Sequence, residues 1–119
     1  MNVAVLGASN KPDRYSYKAV MLLRKKGHAP YPVHPLLKEI EGLPVYASLR
    51  AIPDPIDTIT VYLSARNQQT VAEDILRSGA RRVIFNPGAE NRELAARLQQ
   101  QGVESLEACT LVLLTTGQF

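Results

Sequence analysis

The residues best placed to do chemistry are Gly7, Ala8, Ser9, Asn10 and Lys11, with Arg14 three positions on. They follow the apolar run Val3-Ala4-Val5-Leu6 and precede a helical pattern that begins at about Tyr15. A buried strand that breaks into a glycine turn and feeds a helix offers main-chain N–H groups and a positive helix end to an anion. The chemistry this implies is phosphate recognition. Gly7 lets the backbone approach closely, and the amides of Ala8, Ser9 and Asn10, with the Ser9 hydroxyl, can hold phosphate oxygens. Arg14 is the preferred charge-assisted partner and Lys11 the second. The plainer alternatives are a tight turn without a ligand at Gly7 and a surface charge or helix-end cap at Arg14.

Groups able to make or break bonds are few. His34 sits between Pro32 and Pro35, where it reads as a packing or ligand-wall residue ahead of a base. His28 follows a helix-ending glycine and reads as surface. Cys109 is the only cysteine, without a CxxC partner, and reads as a structural thiol ahead of a nucleophile. No Ser-His-Asp order, carboxylate pair or His/Cys cluster emerges, so neither a catalytic residue nor a metal site is expected.

The elements that must hold these residues alternate strand and helix. Strands are expected over Asn2–Gly7, Ala29–Val33, Asp57–Leu63, Arg82–Asn86 and Val103–Leu106. Helices are expected over Tyr15–Lys26, Asn67–Ser78 and Asn91–Gln101. The first helix places Tyr15, Ala19, Leu22 and Leu23 on one face. Gly27, Gly79 and Gly102 each end a helix just before a strand. Leu36–Ile56, with its glycine and prolines, reads as irregular, with a helical turn near Ser48–Ala51. Leu111–Leu114 reads as a sixth segment or a terminal turn.

Strands separated by helices imply right-handed crossovers and a parallel sheet. The expected architecture is a single α/β domain over residues 1–119: three-layer, doubly wound, Rossmann-like, with a mostly parallel sheet. Ligands of such sheets bind beyond the carboxyl ends of the strands. The topology therefore gathers Gly7-Ala8-Ser9, Val33-His34-Pro35, Leu63-Ser64-Ala65-Arg66 and Asn86-Pro87-Gly88-Ala89-Glu90 as candidate site segments.

A dinucleotide fits poorly. Its G-x-G-x-x-G fingerprint meets Ser9 and Pro12 after Gly7, and the second strand ends in Val33-His34 with no carboxylate. NADP tolerates the missing acid but not the broken glycine pattern. No G-K-[ST] follows Gly7, which argues against ATP or GTP hydrolysis.

Val5-Leu6-Gly7-Ala8-Ser9-Asn10-Lys11-Pro12-Asp13-Arg14-Tyr15-Ser16 resembles the V-G-A-S-x-x-P-x-R-x-S opening of small single-domain CoA-binding proteins. These are relatives of the CoA-binding domain of the succinyl-CoA synthetase α subunit. Pro32-Val33-His34-Pro35 is similar to that family's P-V-N-P, and Gly42-Leu43-Pro44-Val45-Tyr46 to its G-x-P-V-Y. Ile52-Pro53 with Asp57 resembles I-P-x-x-x-D, and Asn86-Pro87-Gly88-Ala89-Glu90-Asn91 resembles Q-P-G-A-x-N. Glu107-Ala108-Cys109 matches a late acidic-x-Cys element. His34 and Asn86 depart from the usual asparagine and glutamine, and Leu63–Arg66 from an F-R-R-P-type segment.

The resemblance implies coenzyme A or acyl-CoA as ligand. Val33, His34 and Pro35 would line the adenosine side, and Lys38 would reach the 3′-phosphate. Leu63, Ser64 and Arg66, with Asn86, Pro87 and Gly88, would form the opposite wall. In the synthetase the chemistry also uses a phosphorylated histidine in a following domain, so the resemblance implies binding and not ligation.

The chain has 119 residues, 45% hydrophobic and 21% charged, with a net charge of +3. That fits one soluble domain with a small polyphosphate ligand. The clusters Arg24-Lys25-Lys26 and Arg81-Arg82 read as solvated helix ends, and no tryptophan or aromatic-basic interleaving suggests nucleic acid. No run approaches the about 20 apolar residues of a membrane span. The short apolar start reads as a strand and not a signal peptide, and one cysteine makes the cytoplasm the expected compartment. The leading expectation is thus a non-catalytic CoA-binding module. The alternatives are a small NADP-dependent or acyl-transfer enzyme using the same cleft, with His34 and Cys109 as its candidate groups, and a ligand-free interaction subunit with an unidentified protein partner.

Overall fold

A computed structural model describes residues 1–119. The chain opens with β1 (Asn2–Leu6), whose apolar run alternates between two cores. Val3 and Val5 pack with Ala8, Val20, Leu23 and Leu114, whereas Ala4 and Leu6 pack with Ile59, Val61, Phe85 and Leu94. A strand apolar on both faces is what a sheet covered by helices on both sides requires.

Helix α1 (Tyr15–Lys25) buries Ser16, Ala19, Val20 and Leu23, one stripe at helical spacing. This stripe is rotated from the expected one: Tyr15 is 65% exposed. Gly27, at φ +88°, ends the helix with the Gly27 amide donating to the Arg24 carbonyl and the His28 amide to that of Leu23. This paired arrangement needs a left-handed residue after the last turn.

Strand β2 (Ala29–Val33) carries Pro30 and Pro32 and lies at a sheet edge, where a missing N–H costs least. The segment read as irregular contains a two-stranded hairpin, β3 (Glu39–Ile40) and β4 (Leu43–Pro44), turned by Glu41 and Gly42 at φ 49° and 81°. Two central residues at positive φ match the twist of a tight hairpin. A 3₁₀ turn follows at Leu49–Ala51, where a helical turn was expected.

Strand β5 (Thr58–Val61) leads to two short helices, α2 (Ala65–Gln68) and α3 (Ala72–Arg77), in place of the single helix Asn67–Ser78. Gln68 causes the break. It is fully buried, its amide donating to the carbonyls of Leu63 (2.8 Å) and Ala89 (2.7 Å) and accepting from Asn91 (2.9 Å). The chain then turns through Val71, at φ −117° and ψ −1°, before α3 begins. Then come β6 (Arg82–Phe85), α4 (Arg92–Gln100) and β7 (Glu104–Glu107). The last segment is a helix, α5 (Thr110–Thr115), not a strand.

Five strands pair in parallel in the order β2-β1-β5-β6-β7. Helices α1 and α5 pack together on one face, and α3 and α4 on the other. The chain leaves β1 for one edge and returns past it to β5. The crevice beyond the carboxyl ends of β1 and β5 is thus the topological switch point.

Candidate functional site

Gly7 follows β1 at φ +87°, and a Cβ there would lie 3.1 Å from Leu63 Cδ2 and 3.3 Å from the Tyr62 carbonyl carbon. Conformation and space both demand glycine, because the turn runs against the end of β5. The Gly7 and Ala8 amides both donate to the Val33 carbonyl, at 3.3 and 3.2 Å. The expected use of the Ala8 amide for phosphate is therefore corrected, because an internal acceptor already takes it. The Lys11 amide donates to the Ser9 hydroxyl at 3.1 Å. The Ser9 and Asn10 amides make no such bond, and Arg14, the N-cap of α1, offers no side-chain cap to the helix. The first turn of α1 has no acidic residue, so its amides face outward with their partial positive charge uncompensated within the helix.

These groups line a cavity of about 530 Å³ with Lys11, Asp13, Arg14, Tyr15, Ser16, His34, Leu37 and Tyr62. Two cations outweigh one carboxylate. A second cavity of about 410 Å³ adjoins it, sharing Gly7 and His34, and is walled by Leu6, Val33, Pro35, Leu49, Leu63 and Val71. The pair forms one crevice with a polar, cationic half and an apolar half.

The structure brings together Gly7, Ala8, Ser9, Asn10, Lys11, Arg14, Val33, His34, Pro35 and Leu63 from the sequence-derived set. Six others line neither cavity. Lys38 is exposed on the loop before β3. Ser64 caps α2, its hydroxyl accepting from the Asn67 amide. Arg66 lies on the far side of α2, in a hollow shared with Glu73 and Arg97. Asn86 is only 1% exposed, and its side chain is spent. Its Nδ2 donates to Thr60 Oγ1 (2.7 Å) and the Val61 carbonyl (2.9 Å), while Oδ1 accepts from the Thr110 amide (2.8 Å). Pro87 and Gly88 lie on an exposed turn, where Glu90 takes the Gly88 amide at 3.0 Å. The opposite wall is formed instead by Tyr62, Leu63, Asn67, Thr70 and Val71. Ser16 and Tyr62 carried a signal: Ser16 closes the opening motif, and Tyr62 directly follows the third sheet strand.

Tyr62 is distinctive. Its Oη is buried without a hydrogen-bond partner, and burial pushes the phenol up to about 12. The Thr60 and Thr110 hydroxyls soften that shift but complete no bond to it, being paired with each other at 2.7 Å. A separate hollow of about 260 Å³ lies at the amino ends of the strands, lined by charges of both signs: Arg50, Asp54, Asp74 and Arg77. It has neither the position nor the single sign of an anion site.

A family model described as a CoA binding domain matches residues 1–115. The chain is 31% identical over 100 residues to the uncharacterised protein YneT of Bacillus subtilis, covering 84% of this chain and 74% of that one. It is 33% identical over 112 residues to the alpha subunit of ADP-forming acetate–CoA ligase I of Pyrococcus furiosus. That match takes in 87% of this chain but 24% of the subunit, so the chain spans about a quarter of the ligase subunit it resembles. The crystal structure of an uncharacterised protein, 37% identical, superposes with a TM-score of 0.93 over 99% of this chain and 97% of its own.

Proposed function

As the chain belongs to the CoA-binding domain family, we propose that it binds coenzyme A or an acyl-CoA in the crevice between β1 and β5 without transforming it. The observation that carries this reading is the two-part crevice. A diphosphate suits the polar half, where the Ser9 and Asn10 amides and the first turn of α1 meet Arg14 and Lys11. An adenine ring suits the apolar half, against Val33, Pro35 and Leu63.

Binding without turnover is supported by how the reactive side chains are engaged. Nδ1 of His34 accepts two backbone amides, and His28 lies at the opposite end of the sheet beside the Met1 amino group. Cys109 lines neither half of the crevice. The match to a protein named as an acetate–CoA ligase covers 24% of its subunit and supports the CoA part of that name here.

Calorimetric titration tests the proposal. Saturable binding of CoA is expected, and none into the millimolar range would overturn it. Arg14→Ala is expected to weaken CoA and dephospho-CoA by the same factor of about ten, the worth of one charge-assisted contact to the diphosphate. Unequal losses would move Arg14 to the 3′-phosphate.

A further inference from the structure

His34 and Gly7 are the residues shared by both halves of the crevice. The His34 Nδ1 lies 3.0 Å from the amide nitrogen of Leu36 and 3.1 Å from that of Leu37. An amide only donates, so Nδ1 must present its lone pair, and the proton of the neutral ring sits on Nε2. The backbone beside it is fixed, with the His34 amide donating to the Tyr46 carbonyl at 3.0 Å. In the turn beyond, Leu36 is 79% exposed, while Leu37 packs against the core beneath α1. An imidazolium has two donors and no acceptor. Its Nδ1–H would face two N–H groups, so charging the ring costs the turn both bonds.

We propose that His34 is a proton-sensitive latch: its neutral Nε2–H tautomer holds the Pro35–Leu37 turn that walls the crevice, and protonation releases that turn and weakens ligand retention. The ligand part rests on the CoA-binding reading. The sign is opposite to what charge alone predicts, because an imidazolium beside a phosphate would otherwise tighten binding.

The charged or titratable groups around the ring come from several elements. Lys11, Asp13 and Arg14 lie in the β1–α1 segment, Tyr15 starts α1, and Tyr62 follows β5. Tyr46 lies beyond β4, and Lys38 is on the ring's own loop. Lys11, Arg14 and Lys38 are the cations of this set and Asp13 its one carboxylate. His28, at the far end of the sheet, is unchanged in every variant below.

Nitrogen-15 NMR of the free protein tests the latch. At about pH 8, Nδ1 of His34 is expected to be unprotonated and the Leu36 and Leu37 amides protected from exchange. At about pH 5 their protection is lost. His34→Asn supplies a side-chain oxygen acceptor that does not titrate, so protection persists at both pH values. CoA affinity is expected to fall about tenfold more in the wild type than in His34→Asn over that range, the worth of two backbone hydrogen bonds. The CoA 3′-phosphate also takes up a proton there, equally for both proteins, so the ratio is the readout. His34→Ala binds weakly at both pH values. An Nδ1–H tautomer, unchanged amide protection at acid pH, or acid-tightened binding relative to His34→Asn would each overturn the latch. A wild type that binds no CoA at about pH 8 overturns the CoA reading alone, and the tautomer and amide measurements then decide the latch.

Discussion

Tyr62 turns its ring to the polar cavity and its hydroxyl into the layer beneath α5, where Thr60 and Thr110 already satisfy each other. A buried hydroxyl without a partner keeps the full cost of its desolvation. Tyr62→Phe is therefore expected to raise unfolding free energy in urea by about 1 kcal/mol. CoA affinity in calorimetry stays unchanged, because the ring that lines the cavity remains. A loss of affinity would show that the hydroxyl turns outward to the ligand. The contrast with Asn86 is instructive. Both residues end a central strand on the same face, yet Asn86 fills three hydrogen bonds and Tyr62 none. The sequence motif around Asn86 marks a position that is structurally demanding, and such a position is easily read as a ligand contact.

The β3–β4 hairpin places Glu41 at φ 49°, the one non-glycine residue with positive φ. Glutamate is disfavoured in that region, whereas asparagine tolerates it. Glu41→Asn is expected to stabilise the protein by about 0.5–1 kcal/mol, read as a higher urea midpoint at unchanged slope. The hairpin was hidden in the sequence because Glu-Gly is not the usual Asn-Gly or Asp-Gly signal and its strands have two residues each. The central strands were legible, since Val3–Leu6 and Val83–Phe85 are apolar on both faces, and so were helix ends marked by Gly27 and Gly102. The split between α2 and α3 was not. It depends on Gln68 reaching carbonyls at Leu63 and Ala89, the second of them 21 positions away, and no local pattern encodes that contact. The same limit applies to the site. Gly7–Arg14 is continuous and could be read directly, while the apolar wall needed Leu49, Leu63 and Val71 to meet in space.

Asp57 ties the amino ends of the central strands. Its carboxylate receives Arg81 Nε at 2.7 Å and the Thr58 hydroxyl at 2.7 Å. Burial alone would push the carboxyl up. The hydrogen bonds from Thr58 and Arg81, with the charges of Arg81 and Arg82, outweigh it and hold the carboxyl below its ordinary 3.8. A lowered folded-state value contributes stability above the unfolded value and loses it as pH falls through the folded one. Asp57→Asn is thus expected to have a lower urea midpoint than the wild type at neutral pH, with the gap narrowing below about pH 4. A gap constant across that range would remove the ion pair from the account of acid stability. The same sheet has another consequence. β1 is clamped between two partners that the chain delivers much later: Asn2 meets Ala29, and Val3 meets Thr58. No ladder of the five-stranded sheet is closed by a short reversal, so each must first spend the entropy of a long loop, and folding is slow for a chain of this size. Until Thr58–Val61 arrives, a greasy pentapeptide waits with one edge open, and refolding yield should therefore fall as protein concentration rises.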